Sequence, residues 1–322
     1  MGRVLVTGGA GFIGSHICDK LIEIGHEVVC YDNLMTGYKE NIEHLEGNIN
    51  FSFIEGDIRD EANLKKAMKG CTHVSHQAAL GSVPRSIKNP ILTNQINIQG
   101  SLNVLVAAKE HSIKRVVFAS SSSVYGDNED MPKNEERTGS VLSPYAVTKL
   151  AIEEYARVFS HVYGMETIGL RYFNVFGPRQ SPEGAYAAVI PVFIDSIMDN
   201  VPPTINGDGE QTRDFSYIDN VVDANILSLF EESEKSYGEV YNVACGETIS
   251  INMLFKMIRE TISNNTGRKL EIEAVHGPDR AGDIRDSLAN LSKIKKDLGY
   301  IPKVFAKEGM IKTCEWHISN RS

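Results

Sequence analysis

Short runs of apolar, mostly β-branched residues alternate with amphipathic stretches through the first half of the chain. Such alternation is typical of stacked βαβ units, in which helices cover both faces of a parallel sheet. The pattern predicts six strands, at residues 4–7, 27–32, 51–56, 73–77, 115–120 and 167–172. It predicts helices most clearly at residues 12–24, 61–69, 94–111 and 144–163. The predicted fold class is therefore α/β, with a doubly wound parallel sheet.

The regular alternation of predicted strands and helices ends after Phe173, where longer loops rich in Gly, Pro and Asn follow. The change predicts a Rossmann domain over residues 1–173 and a smaller α/β C-terminal domain over residues 174–322. Segments near residues 215–218 and 240–244 still have the pattern of short strands. We expect the segments near 215–245 to return to the first domain, so that the two domains interleave.

Composition and net charge disfavour several classes of partner, but they do not indicate which reaction the chain carries out. A chain of 322 residues is long enough for about two ordinary globular domains. Its 33 basic and 42 acidic residues give a net charge of −9, which disfavours nucleic acid and anionic membranes as partners. There is no apolar run of about 18 residues and no signal-peptide pattern, so we expect no membrane association and a cytoplasmic location. Five scattered cysteines and the lack of an H-x-x-x-H pair predict reduced thiols and no metal site.

A glycine-rich stretch lies between the first predicted strand and its helix. Gly8, Gly11 and Gly14 form G-x-x-G-x-x-G, and Gly9 adds an overlapping G-x-G-x-x-G. At a strand-to-helix turn, glycines let a pyrophosphate approach the backbone, and the N–H groups at the helix start face its charge. The position of the motif favours a dinucleotide site over a turn that merely requires glycine.

A carboxylate follows at the spacing typical of such a site. Asp32 ends the second strand, 18 residues after Gly14, where it can accept both hydroxyls of the adenosine ribose. It would repel a 2′-phosphate, and the residues that follow provide no arginine for one, so NAD is favoured over NADP. A solvated carboxylate at a strand end is the alternative interpretation. Asp57 and Ile58, after the third strand, could similarly meet the adenine ring.

A second group of candidate functional residues consists of serine and tyrosine hydroxyls together with one lysine. Ser143 and Pro144 are typical of a helix start, so Tyr145 and Lys149 share one face of the helix that follows. A lysine ammonium one turn away favours the phenolate of a tyrosine, whose pKa is otherwise about 10. Upstream, residues 120–123 place four serines at the carboxyl end of a strand, where doubly wound folds bind ligands. The combination predicts proton transfer on a sugar or alcohol hydroxyl, whereas Tyr-x-x-x-Lys alone would indicate an ordinary helix.

These motifs resemble the extended short-chain dehydrogenase/reductase family, and most closely its UDP-N-acetylglucosamine 4-epimerases. The resemblance covers almost the whole chain. Apart from the motifs above, it is carried by residues 77–86, 170–177, 184–191 and 207–215. It implies a catalytic triad of Ser121, Tyr145 and Lys149, although the serine run leaves Ser122 or Ser123 open for the first role. It also implies a C-terminal domain that holds UDP.

The resemblance assigns further residues to two sites. For NAD it implies Gly8, Gly11, Phe12, Ile13, Gly14, Asp32, Asn33, Asp57, Ile58, Gln77, Ala78, Ala79, Tyr145, Lys149 and Tyr172. For the UDP-sugar it implies Gly81, Ser82, Ser121, Ser122, Ser123, Tyr145, Asn174, Val189, Asn206, Arg213, Arg280, Asp283 and Ser287. Epimerases limited to UDP-glucose look similar but carry a bulky tyrosine at the position of Ser287. A small residue there implies room for an N-acetyl group.

The implied reaction is the reversible C4 epimerisation of UDP-N-acetylglucosamine through a 4-keto sugar, with bound NAD+ taking and returning the hydrogen. UDP-glucose and UDP-glucuronate 4-epimerases are the nearest alternatives, although glucuronate epimerases typically have a threonine at the position of Asn174. Related dehydratases and decarboxylases carry an acidic residue beside the serine, which this chain lacks. A regulator that binds NAD without catalysis is a further alternative, although such proteins lose the tyrosine and the lysine.

The family also implies a homodimer. Its members commonly pair through a four-helix bundle, here formed by the helices at 94–111 and 144–163. The apolar residues of these two helices include Leu102, Leu105, Val106, Leu150, Ile152 and Val158. The alternative is that these side chains only cover the sheet.

Overall fold

The computed structural model describes residues 2–181, 188–231, 236–278 and 285–321. In chain order its strands are β1 (Arg3–Thr7), β2 (Glu27–Asp32), β3 (Phe51–Glu55), β4 (His73–His76), β5 (Arg115–Ser121), β6 (Glu166–Tyr172), β7 (Val175–Phe176), β8 (Thr204–Asn206), β9 (Thr212–Arg213), β10 (Ser216–Tyr217), β11 (Glu239–Val243), β12 (Ile249–Ser250), β13 (Val275–Gly277) and β14 (Asp286–Ser287). Its α-helices are α1 (Phe12–Glu23), α2 (Glu61–Met68), α3 (Val83–Lys88), α4 (Pro90–Asn94), α5 (Ser101–Glu110), α6 (Pro144–Tyr163), α7 (Val189–Met198), α8 (Ile218–Phe230), α9 (Ile251–Thr266), α10 (Ser292–Leu298) and α11 (Ala306–Asn320).

The main sheet has the doubly wound order that the sequence predicts. Seven of the described strands pair in the order β11-β6-β5-β4-β1-β2-β3, and every neighbouring pair is parallel. The six strands predicted from the sequence all form, within one residue of their predicted ends. The chain winds in opposite directions from β1 and β4, so a crevice opens between the carboxyl ends of these two strands.

Helices cover both faces of this sheet, which explains why its strands are apolar along their whole length. On one face α1 packs against α8, and on the other α2, α5 and α6 pack together. Helix α6 has the predicted bounds. The Ser143 hydroxyl accepts a hydrogen bond from the N–H of Ala146, at 3.2 Å, and Gly164 ends the helix in a left-handed conformation. This helix therefore begins at the carboxyl edge of the sheet, where its first turn can reach a ligand.

The helix predicted at 94–111 begins earlier and is less regular than expected. Its first turn is α4, where the Asn89 side chain accepts a hydrogen bond from the Leu92 N–H at 3.2 Å. A π-helical turn, Gln95–Gly100, then leads into α5. The pair Asn89-Pro90 is the start signal in the sequence, because an Asn cap followed by proline suits a first turn.

The later part of the chain packs around α7, α9 and α11. The rings of Phe193 and Phe255 meet edge to face, with centroids 5.9 Å apart, and join α7 to α9. The segment predicted as a strand near 240–244 is β11 and belongs to the main sheet. The segment near 215–218 contains β10, which pairs with β7 in a separate two-stranded sheet, and it leads into α8, which packs against α1 on the main sheet. Along the described parts of the chain, no helix combines the length and apolar character needed to cross a membrane.

Candidate active site

The glycine-rich loop is closely packed where it turns from β1 into α1. Gly8 has φ +70° and donates a hydrogen bond to the Tyr31 carbonyl at 2.8 Å. A Cβ atom on Gly14 would lie 2.1 Å from the Gly8 carbonyl oxygen, so no side chain fits there. No side chain caps the first turn of α1, which holds the N–H groups of Phe12 and Ile13. An uncapped helix start behind a loop without side chains suits a pyrophosphate.

Asp32 is held in one orientation at the carboxyl end of β2. One carboxylate oxygen accepts the Ala10 N–H at 3.0 Å, and the other accepts the Leu34 N–H at 2.8 Å. The side chain is only 7% exposed. Burial raises the pKa of Asp32, while these backbone hydrogen bonds oppose that shift. The carboxylate is therefore part of the loop structure and not a solvated strand end.

One cleft brings together seven of the residues assigned to the cofactor, from the ends of four different strands. They are Gly8, Asp32, Asn33, Asp57, Ile58, Ala78 and Ala79. The Asp57 carboxylate accepts hydrogen bonds from Asn33 at 2.8 Å and from Arg59 at 2.6 Å, and the Arg59 contact is the main reason that the pKa of Asp57 falls to about 2. The residues fit a dinucleotide, because a glycine-rich loop and a fixed carboxylate lie at the same edge of the sheet.

Gln77 and Tyr172 are hydrogen-bonded to each other. The Tyr172 hydroxyl donates to the Gln77 side-chain oxygen at 3.0 Å and accepts from the Asn225 amide at 2.8 Å. The Gln77 amide donates to the Ser75 hydroxyl at 3.0 Å. This network joins the carboxyl ends of β4 and β6, and a direct contact of either residue with a cofactor stays a prediction.

Tyr145, Lys149 and Ser121 meet above the carboxyl end of β5. The Lys149 ammonium lies 5.8 Å from the centre of the Tyr145 ring and donates to the Ala119 carbonyl at 2.7 Å. Burial raises the pKa of Tyr145, and a hydrogen bond with Ser121 partly offsets this. Burial lowers the pKa of Lys149 to about 8, against the nearby carboxylate of Glu153. Lys149 is therefore a cation at neutral pH, next to a phenol that needs a positive charge to ionise.

Three of the four serines at residues 120–123 differ in the partners of their hydroxyl groups. The Ser120 hydroxyl is buried and donates to Glu153. The Ser121 hydroxyl accepts the N–H of Ser123 at 3.2 Å and bonds to Tyr145. The Ser123 hydroxyl is buried without a hydrogen-bond partner. Ser121 is thus the serine that opposes the rise in the pKa of Tyr145, and Ser123 has a buried hydroxyl without a hydrogen-bond partner.

A second cleft, of about 320 Å³, lies among α7, β8 and β9. It contains four of the residues assigned to the UDP-sugar, namely Asn174, Val189, Asn206 and Arg213. Its apolar lining consists mainly of Val175, Ile190, Phe193, Ile205, Phe215 and Ile251. The Arg213 guanidinium donates to the carbonyls of Thr212 at 2.8 Å and Arg285 at 3.0 Å. One cation, several amides and apolar walls suit a nucleotide that carries phosphate.

The other predicted substrate residues lie around these two clefts. Ser287, on β14, pairs in register with Arg213 of β9. Ser82 begins α3, and from that helix the Ser86 hydroxyl accepts the Tyr145 N–H at 3.0 Å. A Cβ atom on Gly81 would meet nothing within 4 Å. Arg280 and Asp283 lie outside the described residues, as do residues 184–187 of the third resemblance motif.

Four residues to which the motifs assigned no role have unusual surroundings. Glu153 and Arg171 form a buried ion pair with a distance of 2.8 Å. Gln180 and Gln211 line the second cleft, and each has a buried amide oxygen without a hydrogen-bond partner. The position of Arg171 within an otherwise apolar predicted strand is the sequence signal that could have revealed its ion pair with Glu153. Nothing in the sequence distinguishes the two glutamines from solvated loop residues.

Among the described residues, no group of three or more His, Cys, Asp or Glu side chains could hold a metal ion.

Comparisons with known proteins identify the family of this chain. A model of the NAD dependent epimerase/dehydratase family matches residues 4–244. A putative UDP-glucose 4-epimerase of Methanocaldococcus jannaschii is 39% identical over 98% of this chain and 99% of its own.

Two solved structures are similar over nearly their full length. A UDP-N-acetylglucosamine 4-epimerase from Methanobrevibacter ruminantium M1, in complex with UDP-N-acetylmuramic acid, is 43% identical with a TM-score of 0.90, covering 99% of this chain and 98% of that one. A UDP-glucose 4-epimerase from Thermotoga maritima, with UDP-glucose, is 38% identical with a TM-score of 0.91, covering 99% of this chain and 100% of that one.

Replacing Asp32 by alanine is expected to weaken NAD+ binding by about 10- to 100-fold, because hydrogen bonds from the ribose to a charged acceptor are lost. NADP+ binding should change much less, so the preference for NAD+ falls. Fluorescence titration of cofactor-stripped protein measures both affinities. Glu55→Ala, which removes an exposed carboxylate at the end of the neighbouring strand, is the control and should leave the preference unchanged. An unaltered preference in Asp32→Ala would contradict the assignment.

Proposed function

Because the chain belongs to the NAD dependent epimerase/dehydratase family, we propose that it interconverts UDP-N-acetylglucosamine and UDP-N-acetylgalactosamine by inverting C4 of the sugar. The protein is an NAD-dependent nucleotide-sugar 4-epimerase, and the choice of sugar is the proposed part. The observation that carries the reaction is the position of the Lys149 ammonium, 5.8 Å from the centre of the Tyr145 ring and one helical turn away from it.

Tyr145 is the residue that moves the proton of the 4-hydroxyl. Its phenol is buried, so it ionises only when positive charge stabilises the phenolate. Lys149 provides a fixed charge, because its ammonium is anchored to the Ala119 carbonyl. Ser121 donates to the sugar oxygen while that oxygen is a carbonyl, and Tyr145 returns the proton when the hydroxyl forms again.

NAD+, when bound, supplies an acceptor and then a donor for the hydrogen on C4, together with one positive charge. We assign it to the cleft of Gly8, Asp32, Asn33, Asp57, Ile58, Ala78 and Ala79, with the first turn of α1 on its pyrophosphate. Residues 1–173 form the NAD-binding domain in this proposal, and residues 174–322 form the UDP-sugar-binding domain.

The protein has to hold the substrate by its nucleotide part, because the 4-keto sugar must rotate within the site to present its other face. Asn174, Val189, Asn206 and Arg213 lie in one cleft, which supports their assignment to UDP. Asn174 lies two residues after β6, whose last residue, Tyr172, pairs in register with Ser121 of β5, so we place the sugar end of the substrate on this side of the cleft. The hexose then extends from this end towards Tyr145.

The size of Ser287 supports the choice of an N-acetylated sugar. Its strand pairs with the strand of Arg213, so a residue at this position lies beside the proposed diphosphate site. A serine leaves space where a tyrosine would fill it. The solved relative that holds UDP-N-acetylmuramic acid indicates that this fold can accept a sugar with large substituents.

UDP-glucose and UDP-glucuronate remain the alternative substrates within the same reaction. Elimination or decarboxylation is disfavoured, because Ser121, Ser122 and Ser123 bring no carboxylate to the reacting oxygen. A regulator without catalysis is disfavoured by the retained Tyr145 and Lys149.

We further propose that the protein is a homodimer formed through α4, α5 and α6. Ile91 on α4 is 72% exposed, and Val158 and Val162 on α6 are 46% and 59% exposed. Apolar side chains this exposed on neighbouring helices favour a partner. Leu105 and Ile152, which the sequence offered for the interface, are instead buried against the sheet. Leu102, Val106 and Leu150 are half-buried, so they can contribute at the edge of the contact.

Tyr145→Phe is expected to lower kcat by about 10²- to 10⁴-fold, because only the hydroxyl that transfers the proton is lost. NAD binding and the thermal unfolding midpoint should not change. Proton NMR of UDP-sugar mixtures measures the rate of C4 inversion. Tyr163→Phe, at the exposed end of the same helix, is the control and should keep wild-type activity. Wild-type turnover in Tyr145→Phe would disprove the mechanism.

Ser287→Tyr is expected to reduce kcat/KM for UDP-N-acetylglucosamine relative to UDP-glucose by about 10-fold or more, because the larger ring occupies the space of the N-acetyl group. The same NMR assay, run on each sugar without added NAD, gives the two initial rates. Ser292→Tyr, at an exposed position of α10, should leave the ratio unchanged. If the wild-type protein prefers UDP-glucose, Ser287 does not set specificity. If it inverts neither sugar even with NAD supplied, UDP-uronates become the leading substrates.

Val158→Glu is expected to convert the dimer into a monomer, because a charge would be buried in an apolar contact. Light scattering at micromolar concentration gives the mass of each species. Ile49→Glu is the matched control, since Ile49 is 97% exposed and lies away from these helices. A wild-type monomer under the same conditions would rule out the dimer.

A further inference from the structure

The second cleft is lined by residues from two parts of the fold. Asn174 and Val175, at what we call its Val175 end, lie two and three residues after β6, whose last residue, Tyr172, pairs in register with Ser121 of β5. Residues Thr204–Asn206, at what we call its β8 end, belong to a separate sheet in which β8 pairs with β13. If the hexose lies at Tyr145, as the proposed function requires, the linear order of hexose, diphosphate, ribose and base places the base at the β8 end.

Gln211 lies at this β8 end and has a fixed amide. Its side-chain nitrogen donates to the Asn206 carbonyl at 2.9 Å. Its side-chain oxygen is buried and has no hydrogen-bond partner. Flipping the amide would place oxygen against the Asn206 carbonyl oxygen, so the nitrogen must face Asn206. Gln211 therefore contributes an oriented acceptor to the lining of the cleft, and a buried acceptor without a donor is costly to maintain.

We propose that the side-chain oxygen of Gln211 accepts a hydrogen bond from the N3–H of the uracil ring and selects uracil over cytosine. Uracil carries a hydrogen on N3 at neutral pH, whereas N3 of cytosine is itself an acceptor. Cytosine would thus place a lone pair against the amide oxygen and leave both atoms unpaired. Val189, Ile205 and Ile251 line the same cleft and provide apolar contacts for a flat ring.

Gln180 provides an internal comparison. Its amide nitrogen donates to the Val175 carbonyl at 2.9 Å, and its oxygen is also buried without a partner. Because it lies at the Val175 end, its oxygen meets the diphosphate or sugar part of the substrate and not the base. A change at Gln180 should therefore weaken all UDP-based ligands equally.

The experiment compares UDP, CDP and N3-methyl-UDP, in which a methyl group replaces the donor hydrogen. Calorimetry measures their affinities for the wild-type protein, Gln211→Met and Gln180→Met, all with NAD bound. The wild-type protein should bind UDP at least about 10-fold more tightly than either analogue. Gln211→Met keeps the length of the side chain and removes the acceptor, so it should lose about 10-fold for UDP while the analogues change less than about 2-fold. Gln180→Met should keep the wild-type preference.

An unchanged ratio of UDP to N3-methyl-UDP affinity in Gln211→Met would overturn the proposal. Equal wild-type affinities for these two ligands would also overturn it, and that measurement does not depend on whether the variant folds. The inference rests on the proposed function, but the two can fail separately. Epimerase activity with an unaltered ratio in Gln211→Met refutes only the role of Gln211. A Gln211-dependent preference for UDP without epimerisation refutes only the proposed reaction.

Discussion

A buried ion pair between Glu153 of α6 and Arg171 of β6 fixes the catalytic helix to the sheet. Two nitrogens of the guanidinium donate to the two carboxylate oxygens, at 2.9 and 2.8 Å, and both side chains are about 95% buried. Ser120 of β5 donates to the same carboxylate. Burying two charges costs free energy, so the value of such a pair lies in specifying one arrangement of its neighbours. Each residue of this network lies next to a residue of the candidate site. Ser121 follows Ser120, Lys149 lies one turn before Glu153, and Tyr172 follows Arg171.

The same polar network continues towards the substrate side. Arg171 donates to the Glu135 carbonyl at 3.1 Å, and the Glu135 carboxylate accepts the Asn242 N–H at 2.9 Å. The Asn242 side chain donates to the Lys133 carbonyl at 2.9 Å, and the Lys133 N–H donates to the Leu288 carbonyl at 2.7 Å. Leu288 directly follows Ser287. A continuous set of buried hydrogen bonds therefore relates the catalytic helix to the residue proposed to limit the size of the sugar.

Burial has opposite effects on the pKa values of Tyr145 and Lys149, two titratable groups of the catalytic helix. It raises the pKa of Tyr145 and lowers that of Lys149 to about 8. Both shifts oppose the ionised forms, and the site compensates with Ser121 beside the phenol and Glu153 near the ammonium. The resting tyrosine is consequently neutral, and its phenolate depends on Lys149 and on the positive charge that an oxidised cofactor adds.

The sequence by itself determined the sheet, the main helices and the identity of the chemical groups, because these depend on local patterns. Apolar strands, glycine at a strand-to-helix turn and Tyr145 one turn before Lys149 are all readable within a few residues. The separate pairing of Ser216–Tyr217 and the burial of Leu105 and Ile152 depend on contacts between distant segments. Only the tertiary structure decided that Ser121 is the serine beside Tyr145 and that Gln211 has a buried acceptor without a donor. The physical reason is that hydrogen-bond partners and burial are set by packing between segments far apart in the chain, which local sequence does not encode.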